Sequence, residues 1–312
     1  MKWDYVTKLA HAEGTDSFSI THAMIPTPVI INENILRVYY SSQDSKGIAR
    51  PRFTDYSITN DFQPLRHSIG PVMDIGRPGT FDDNGVLVCS IIAETDTEFL
   101  MFYAGFELLE KIRYRIFTGL ARSIDGGESF KRVSESPLLD RTNNELFFRA
   151  GPFVMKNVET YEMYYVGGSQ WIELENTTKP VYTIRHTTSK DFKNWTAPVE
   201  VIGISSQSEH GFGRPFMTEI ESKKYLYYSV RDSKSELYRI GYAEFVNDQF
   251  LRKDEDFELY NDFEQIENLD LMYAAFFESN REIYMLYNTS GFGLDGIHMA
   301  KLRNSKPSEP VE

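Results

Sequence analysis

Five times along the chain a short apolar run ends in a tyrosine followed by one small or polar residue: Tyr40-Ser41, Tyr103-Ala104, Tyr165-Val166, Tyr228-Ser229 and Tyr287-Asn288. The intervals are 63, 62, 63 and 59 residues. A period near sixty that carries mostly strand signals marks radially repeated sheets, because each repeat is one supersecondary unit that cannot bury its own faces alone. The surroundings of each tyrosine recur as well. An apolar run precedes it (25–31, 85–92, 150–155, 213–217, 272–277), and a short polar turn such as Asn32-Glu33-Asn34 links the two as a hairpin. A third strand follows at 47–53, 114–121, 181–187, 237–245 and 296–302. Two of these run into Ser-x-Asp turns, Ser123 to Phe130 and Ser189 to Trp195, where the Asp bonds its own backbone and an aromatic returns to the sheet.

The pattern predicts an all-β chain: a five-bladed β-propeller of four-stranded antiparallel blades, closed by an N-terminal strand over 3–9 that completes the fifth blade. Residues 1–303 are expected to form one propeller domain, because no linker interrupts the repeat and a blade cannot be cut away without exposing a sheet face. Residues 304–312, with Pro307 and Pro310, are expected to be a disordered tail.

Composition narrows the partners. No segment approaches the ~18 apolar residues of a membrane span. With 33 basic and 46 acidic residues the formal charge is -13, which disfavours nucleic acid and anionic membranes by repulsion. No protein partner is evident. The start Met1-Lys-Trp-Asp-Tyr has no apolar signal-peptide core, and the single Cys89 sits in an apolar run, so a cytoplasmic protein without disulfides is expected, with Cys89 as a small buried hydrophobe. Neither cofactor nor metal is expected: the six histidines scatter without zinc spacing, and no Gly-rich phosphate loop is present.

In a propeller the starts of the innermost strands and the ends of the second strands converge on one funnel-shaped face. The starts offer Thr21-His22, Asp82-Asp83, Arg149, Glu209 through Arg214-Pro215, and Tyr273. Three of the five inner strands are read as beginning at proline, which a strand's first residue tolerates. The second-strand ends offer Glu107, Trp171, Arg231 and Asn288, with Tyr182 nearby on a third strand. Carboxylates, guanidiniums, amides and aromatics in one funnel suit a carbohydrate, whose hydroxyls want polar partners and whose C–H face packs on an aromatic ring. The arginines Arg149, Arg214 and Arg231 would make a local positive spot in an acidic protein, which suits an anionic sugar or a nucleotide-sugar; they equally suit ion pairs that orient the acids.

These residues carry a resemblance over essentially the whole chain. Gly79-Thr-Phe-Asp-Asp-Asn-Gly85, Glu209 through Arg214-Pro215, Met285-Leu-Tyr-Asn288 with Gly291-Phe-Gly293, and the Ser-x-Asp turns resemble the five-bladed propeller glycosidases. That superfamily holds arabinanases and β-xylosidases, invertase-like fructosidases and mannoside phosphorylases. The chain resembles most the glycosidase-like proteins of bacterial surface-polysaccharide biosynthesis clusters. The resemblance implies three carboxylates at inner-strand starts, one protonating the leaving oxygen while another attacks or activates water. Glu209 falls where the general acid would be expected. The blade-one position instead holds Thr21 or His22, and the blade-three position reads Arg149-Ala150-Gly151 without an Asp.

Two assignments follow. In one, Glu209 is the acid and Asp83 the base; in the other, His22 is the base and Asp83 tunes it. Asp82, Glu107, Arg149, Trp171, Tyr182, Arg214, Arg231, Tyr273 and Asn288 would bind substrate. Opposed to both stands a non-catalytic sugar-binding propeller that has lost part of the carboxylate set. A protein-interaction scaffold would need a broad apolar rim instead of polar strand starts.

Overall fold

The computed structural model describes residues 1–303 apart from 11, 13, 15, 175–176, 234–236, 263 and 266–268; the expected tail, 304–312, lies outside the described residues. Strand pairing resolves five antiparallel meanders of four strands. Blade one is Thr21–Asn32, Ile35–Gln43, Ala49–Ser57 and Gln63–His67; blade two is Val86–Ala93, Phe99–Leu108, Tyr114–Ser123 and Lys131–Arg132. Blade three is Phe148–Lys156, Tyr161–Leu174, Thr177–Ser189 and Val199–Ile202; blade four is Glu209–Ile220, Lys223–Asp232, Arg239–Val246 and Gln249–Arg252. Blade five is Leu271–Ser279, Glu282–Thr289 and Ile297–Leu302, completed by Lys2–Ala10, which pairs antiparallel with Ile297–Leu302 as expected. Glu258–Asn261 then adds in parallel to the outer side of Lys2–Ala10. No helix among the described residues is long and apolar enough to cross a membrane.

The ring closes through the cores. Each first strand contacts the first strands of its two neighbours, and that of blade five contacts that of blade one. Five apolar clusters fill the five junctions between blades, among them Tyr39, Phe53, Val88 and Met101 between blades one and two. Leu36, Tyr40, Phe277 and Leu286 fill the seam between blades one and five. Burying a side chain of this size is worth about 1.5–3 kcal/mol, so stability resides between sheets and not within them.

The repeated tyrosines explain the period physically. All five are buried on central second strands. Tyr103 lies opposite Gly119 and Tyr228 opposite Gly241. A Cβ at Gly119 would stand 2.2 Å from the Tyr103 ring, and one at Gly241 2.9 Å from the Tyr228 ring, so only glycine leaves room. In three blades the hydroxyl then donates to a carboxylate: Tyr103 to Asp82 at 3.1 Å, Tyr165 to Glu145 at 2.8 Å and Tyr228 to Asp254 at 2.8 Å. Each carboxylate is held in turn by an arginine: Arg132 on Asp82 at 2.7 Å, Arg149 on Glu145 at 2.9 Å, and Arg252 on Asp254 at 3.0 Å. The Tyr40 hydroxyl meets Thr54, and the Tyr287 ring packs beside His298. A tyrosine–carboxylate–arginine staple therefore recurs because blade packing recurs, and it accounts for polar groups whose repetition suggested a ligand site.

Every first strand also breaks register at one equivalent point: at Ile25-Pro26, Cys89, Gly151-Pro152, Arg214-Pro215 and Tyr273-Ala274. These are bulges, and φ is positive at Ile25 (57°), Gly151 (61°), Arg214 (30°) and Tyr273 (60°). The prolines therefore sit at the bulge and not at the strand start, which lies several residues earlier; a bulge, like a first residue, requires no ladder donor from proline.

Candidate functional site

First strands begin, second strands end and third strands begin on the same face of the ring, and there a cavity of about 510 Å³ opens. That is within the usual range for small-molecule sites, ~300–1,000 Å³. All five blades line it. Blade one supplies His22, Ile25 and Gln43; blade two Asn84, Phe106, Arg113 and Tyr114; blade three Lys179 and Tyr182. Blade four supplies Arg231 and Tyr238, and blade five Tyr273 and Phe292. Comparably large hollows lie between blades, but each is bounded by only two of them.

The lining is cationic and tyrosine-rich, and no Asp or Glu is among its described residues. Arg231 lies between two rings, its guanidinium 5.5 Å from the Tyr182 centroid and 4.8 Å from that of Tyr238. It donates to the Tyr182 hydroxyl, and its buried Nε has no hydrogen-bond partner among the described residues. Behind this wall Trp171 packs edge-on against Tyr114 at 5.1 Å and Phe148 packs against Tyr182 at 5.2 Å, which holds the tyrosines in place. Arg113 donates to the Thr178 carbonyl at 3.4 Å, beside Lys179. Among the described residues none of Arg231, Arg113 and Lys179 forms a salt bridge. His22 is strained at φ 62° and shares a 2.9 Å hydrogen bond with Thr21 Oγ1. Burial pushes its pKa below 6.5, so the ring is neutral at pH 7.

Of the residues expected at the site, His22, Tyr182, Arg231 and Tyr273 line the cavity; the others do not. Glu209 is buried beside blade four's outermost strand. Arg252 grips it through both terminal guanidinium nitrogens at 2.6 and 3.0 Å, and the Ser205 N–H donates to it at 2.9 Å. Burial alone would raise its pKa, but the Arg252 fork and the Ser205 N–H outweigh this and bring it down to about 2. A general acid needs the opposite shift. Asp83 accepts the Gly79 N–H at 2.8 Å and holds its own turn, while Asp82 belongs to the Tyr103 staple. Glu107 pairs with Arg115 at 2.8 Å, and Arg149 with Glu145.

Arg214 is displaced from the funnel to the axis below it. Fully buried, it donates to the carbonyls of Cys89, Tyr273 and Ala274 and to Thr27 Oγ1, at 3.0–3.3 Å, and so ties blades one, two and five to blade four. Burial lowers its pKa to about 10, which leaves it charged. Asn288 accepts from the Ile25 N–H and donates to the carbonyls of Ala23 and Gly296, closing the seam between blades five and one. Cys89 is buried and its thiol pushed up to about 12, in keeping with a packing role. Both Ser-x-Asp turns form as read: Asp125 accepts the N–H groups of Glu128 and Ser129, and Asp191 those of Lys193 and Asn194.

The residues not foreseen, Arg113, Tyr114, Lys179 and Tyr238, all lie at or just before third strands. In a meander the third strand starts on the face where the first one starts, so the signal was present at these positions too.

No family model matches the chain. It is 26% identical over 305 residues to the uncharacterized protein Rv1502 of Mycobacterium tuberculosis (strain ATCC 25618 / H37Rv), covering 97% of this chain and 100% of that one. Its fold is similar to that of a solved glycoside hydrolase, with TM-score 0.68, 16% identity and coverage of 99% of this chain and 94% of the other. It is also similar to a thermostable family-43 glycoside hydrolase, with TM-score 0.62, 17% identity and 93% coverage of each chain. An endo-arabinase from Bacteroides thetaiotaomicron gives TM-score 0.58 at 12% identity, covering 93% of this chain and 99% of that one.

Proposed function

We propose that this glycoside-hydrolase-like propeller binds an anionic saccharide in its funnel, with Arg231 as the principal anion contact and Tyr114, Tyr182, Tyr238 and Tyr273 as the stacking and hydrogen-bonding wall. One observation carries the reading: a five-blade cavity holds three cations that have no carboxylate partner among the described residues, and its described lining contains no carboxylate. An unpaired charge on a low-dielectric wall is costly unless a ligand supplies the counter-charge. Tyrosine gives a sugar both an apolar face and a hydroxyl.

Glycosidic hydrolysis by a carboxyl pair requires two such groups flanking the scissile bond. With Glu209 ionised in its own cluster and Asp83 occupied by its turn, the reading favoured here is the sugar-binding one, and any proton transfer at the cavity falls to His22. The hydrolase reading, Glu209 as acid and Asp83 as base, has the likeness of fold in its support. Calorimetric titration with D-glucuronate and D-glucose at equal ionic strength, beside a turnover screen on nitrophenyl glycosides, separates the two. The expected result is binding of glucuronate over glucose and no turnover that Glu209→Gln abolishes. Turnover lost in that variant while binding persists would restore Glu209 as the acid and overturn this reading.

A further inference from the structure

Resting on the reading just given, we infer that the ligand carries two separated anionic groups: a carboxylate held deep in the funnel at Arg231 and a phosphoester held at the rim by Arg113 and Lys179. The two cationic positions differ in kind. Arg231 is enclosed, with a planar donor face between Tyr182 and Tyr238 and a buried Nε without a partner among the described residues. A planar fork with an idle in-plane donor matches a planar carboxylate. Arg113 is exposed and Lys179 half-buried; they come from neighbouring blades and meet where Arg113 donates to the Thr178 carbonyl. Flexible cations in contact with water suit the more strongly hydrated, more highly charged phosphate.

Lys179 and Tyr182 lie three residues apart on one extended strand, about 10 Å at ~3.3 Å per residue, and Tyr182 is the residue that Arg231 touches. Tyr114, next to Arg113 in sequence, lines the wall between the two positions. A carboxylate held at Arg231 leaves the rim pair to a second anionic group. A pyranose with a carboxylate at one end and a phosphoester at the other spans such a gap, with its ring against the tyrosines. The class is therefore a uronic acid phosphorylated at its anomeric oxygen, whether as the simple phosphate or as a nucleoside diphosphate sugar.

The test is calorimetric titration of the full chain with D-glucuronate, D-glucuronate 1-phosphate, UDP-glucuronate, UDP and inorganic phosphate. The proteins are wild type, the double variant R113A/K179A, the milder K179Q and R231Q, each with its melting temperature recorded. Wild type should bind the 1-phosphate at least tenfold more tightly than the free acid. The double variant should lose that increment, and K179Q part of it, while both lose far less affinity for free glucuronate than R231Q does. R231Q should lose free glucuronate and retain the weak binding of UDP or phosphate. UDP-glucuronate tighter than the 1-phosphate assigns the nucleotide form, and equal affinity assigns the sugar phosphate. Equal affinity of wild type for free and phosphorylated acid, or a uniform loss across all ligands in the folded double variant, overturns the inference while leaving an anionic-sugar site intact. Failure of every uronate to bind would instead remove the reading on which it rests.

Discussion

Two arginine-rich regions sit within one blade of each other and use charge in opposite ways. At the outer edge of blade four, Arg252 and Arg239 face Glu209 and Asp254, with Ser205 and Tyr228 completing the hydrogen bonds. Each arginine there faces more than one carboxylate. On the inner face, Arg231 is wrapped in tyrosine rings, and among the described residues neither it nor Arg113 and Lys179 at the rim forms a salt bridge. The first arrangement is self-contained, the second incomplete. Buried ion pairs recoup little beyond their desolvation, but removing one partner strands the other, so the first cluster should matter to folding and the second to binding.

The largest expected effect breaks the closed cluster. Arg252→Met leaves Glu209 and Asp254 short of a counter-charge, and urea denaturation should show a loss of roughly 3 kcal/mol, the lower end of the range for a buried pair because Arg252 is partly exposed. A loss below about 1 kcal/mol would make the cluster dispensable. Acid sharpens the same point. The Glu209 pKa lies at about 2 in the folded protein against an ordinary 4.5. Its contribution is therefore complete above pH 4.5 and fades as pH falls towards 2. The stability gap between wild type and Glu209→Gln should narrow across that window; a gap that stays constant from pH 6 to 2.5 refutes the assignment.

The open region should respond in the opposite sense. Arg231→Gln should weaken glucuronate binding at least tenfold, in keeping with about 1.5–3 kcal/mol for a charged hydrogen bond, while unfolding free energy changes by less than about 1 kcal/mol. A variant that unfolds without losing affinity would reverse the contrast. Tyr103→Phe, which leaves the ring in place over Gly119 but removes its donor to Asp82, should cost about 1 kcal/mol of stability and nothing in binding. The smallest effect is predicted for His22. Its pKa lies below 6.5, so protonation adds positive charge to the cavity only on acidification. Glucuronate affinity should rise a few-fold between pH 7 and 5 in wild type and stay flat in His22→Asn; parallel curves would exclude the ring from the ligand's surroundings.

The sequence alone carried the five tyrosines, the hairpins around them, the Ser-x-Asp turns and the closing N-terminal strand, because period and alternation are local consequences of strands packing on both faces. It also pointed to His22, Tyr182, Arg231 and Tyr273, which line the cavity, since antiparallel order dictates which strand ends converge. What the sequence could not contain was the pairing of charges. Glu209 looks like a proton donor until Arg252, 43 residues on, is seen to grip it. Arg214 looks like a substrate contact until its four partners from three other blades draw it down the axis. Whether a buried ion is neutralised or left waiting for a ligand depends on neighbours brought within about 3 Å by ring closure, and Coulomb energy at that range is decided by distance and burial, not by residue type.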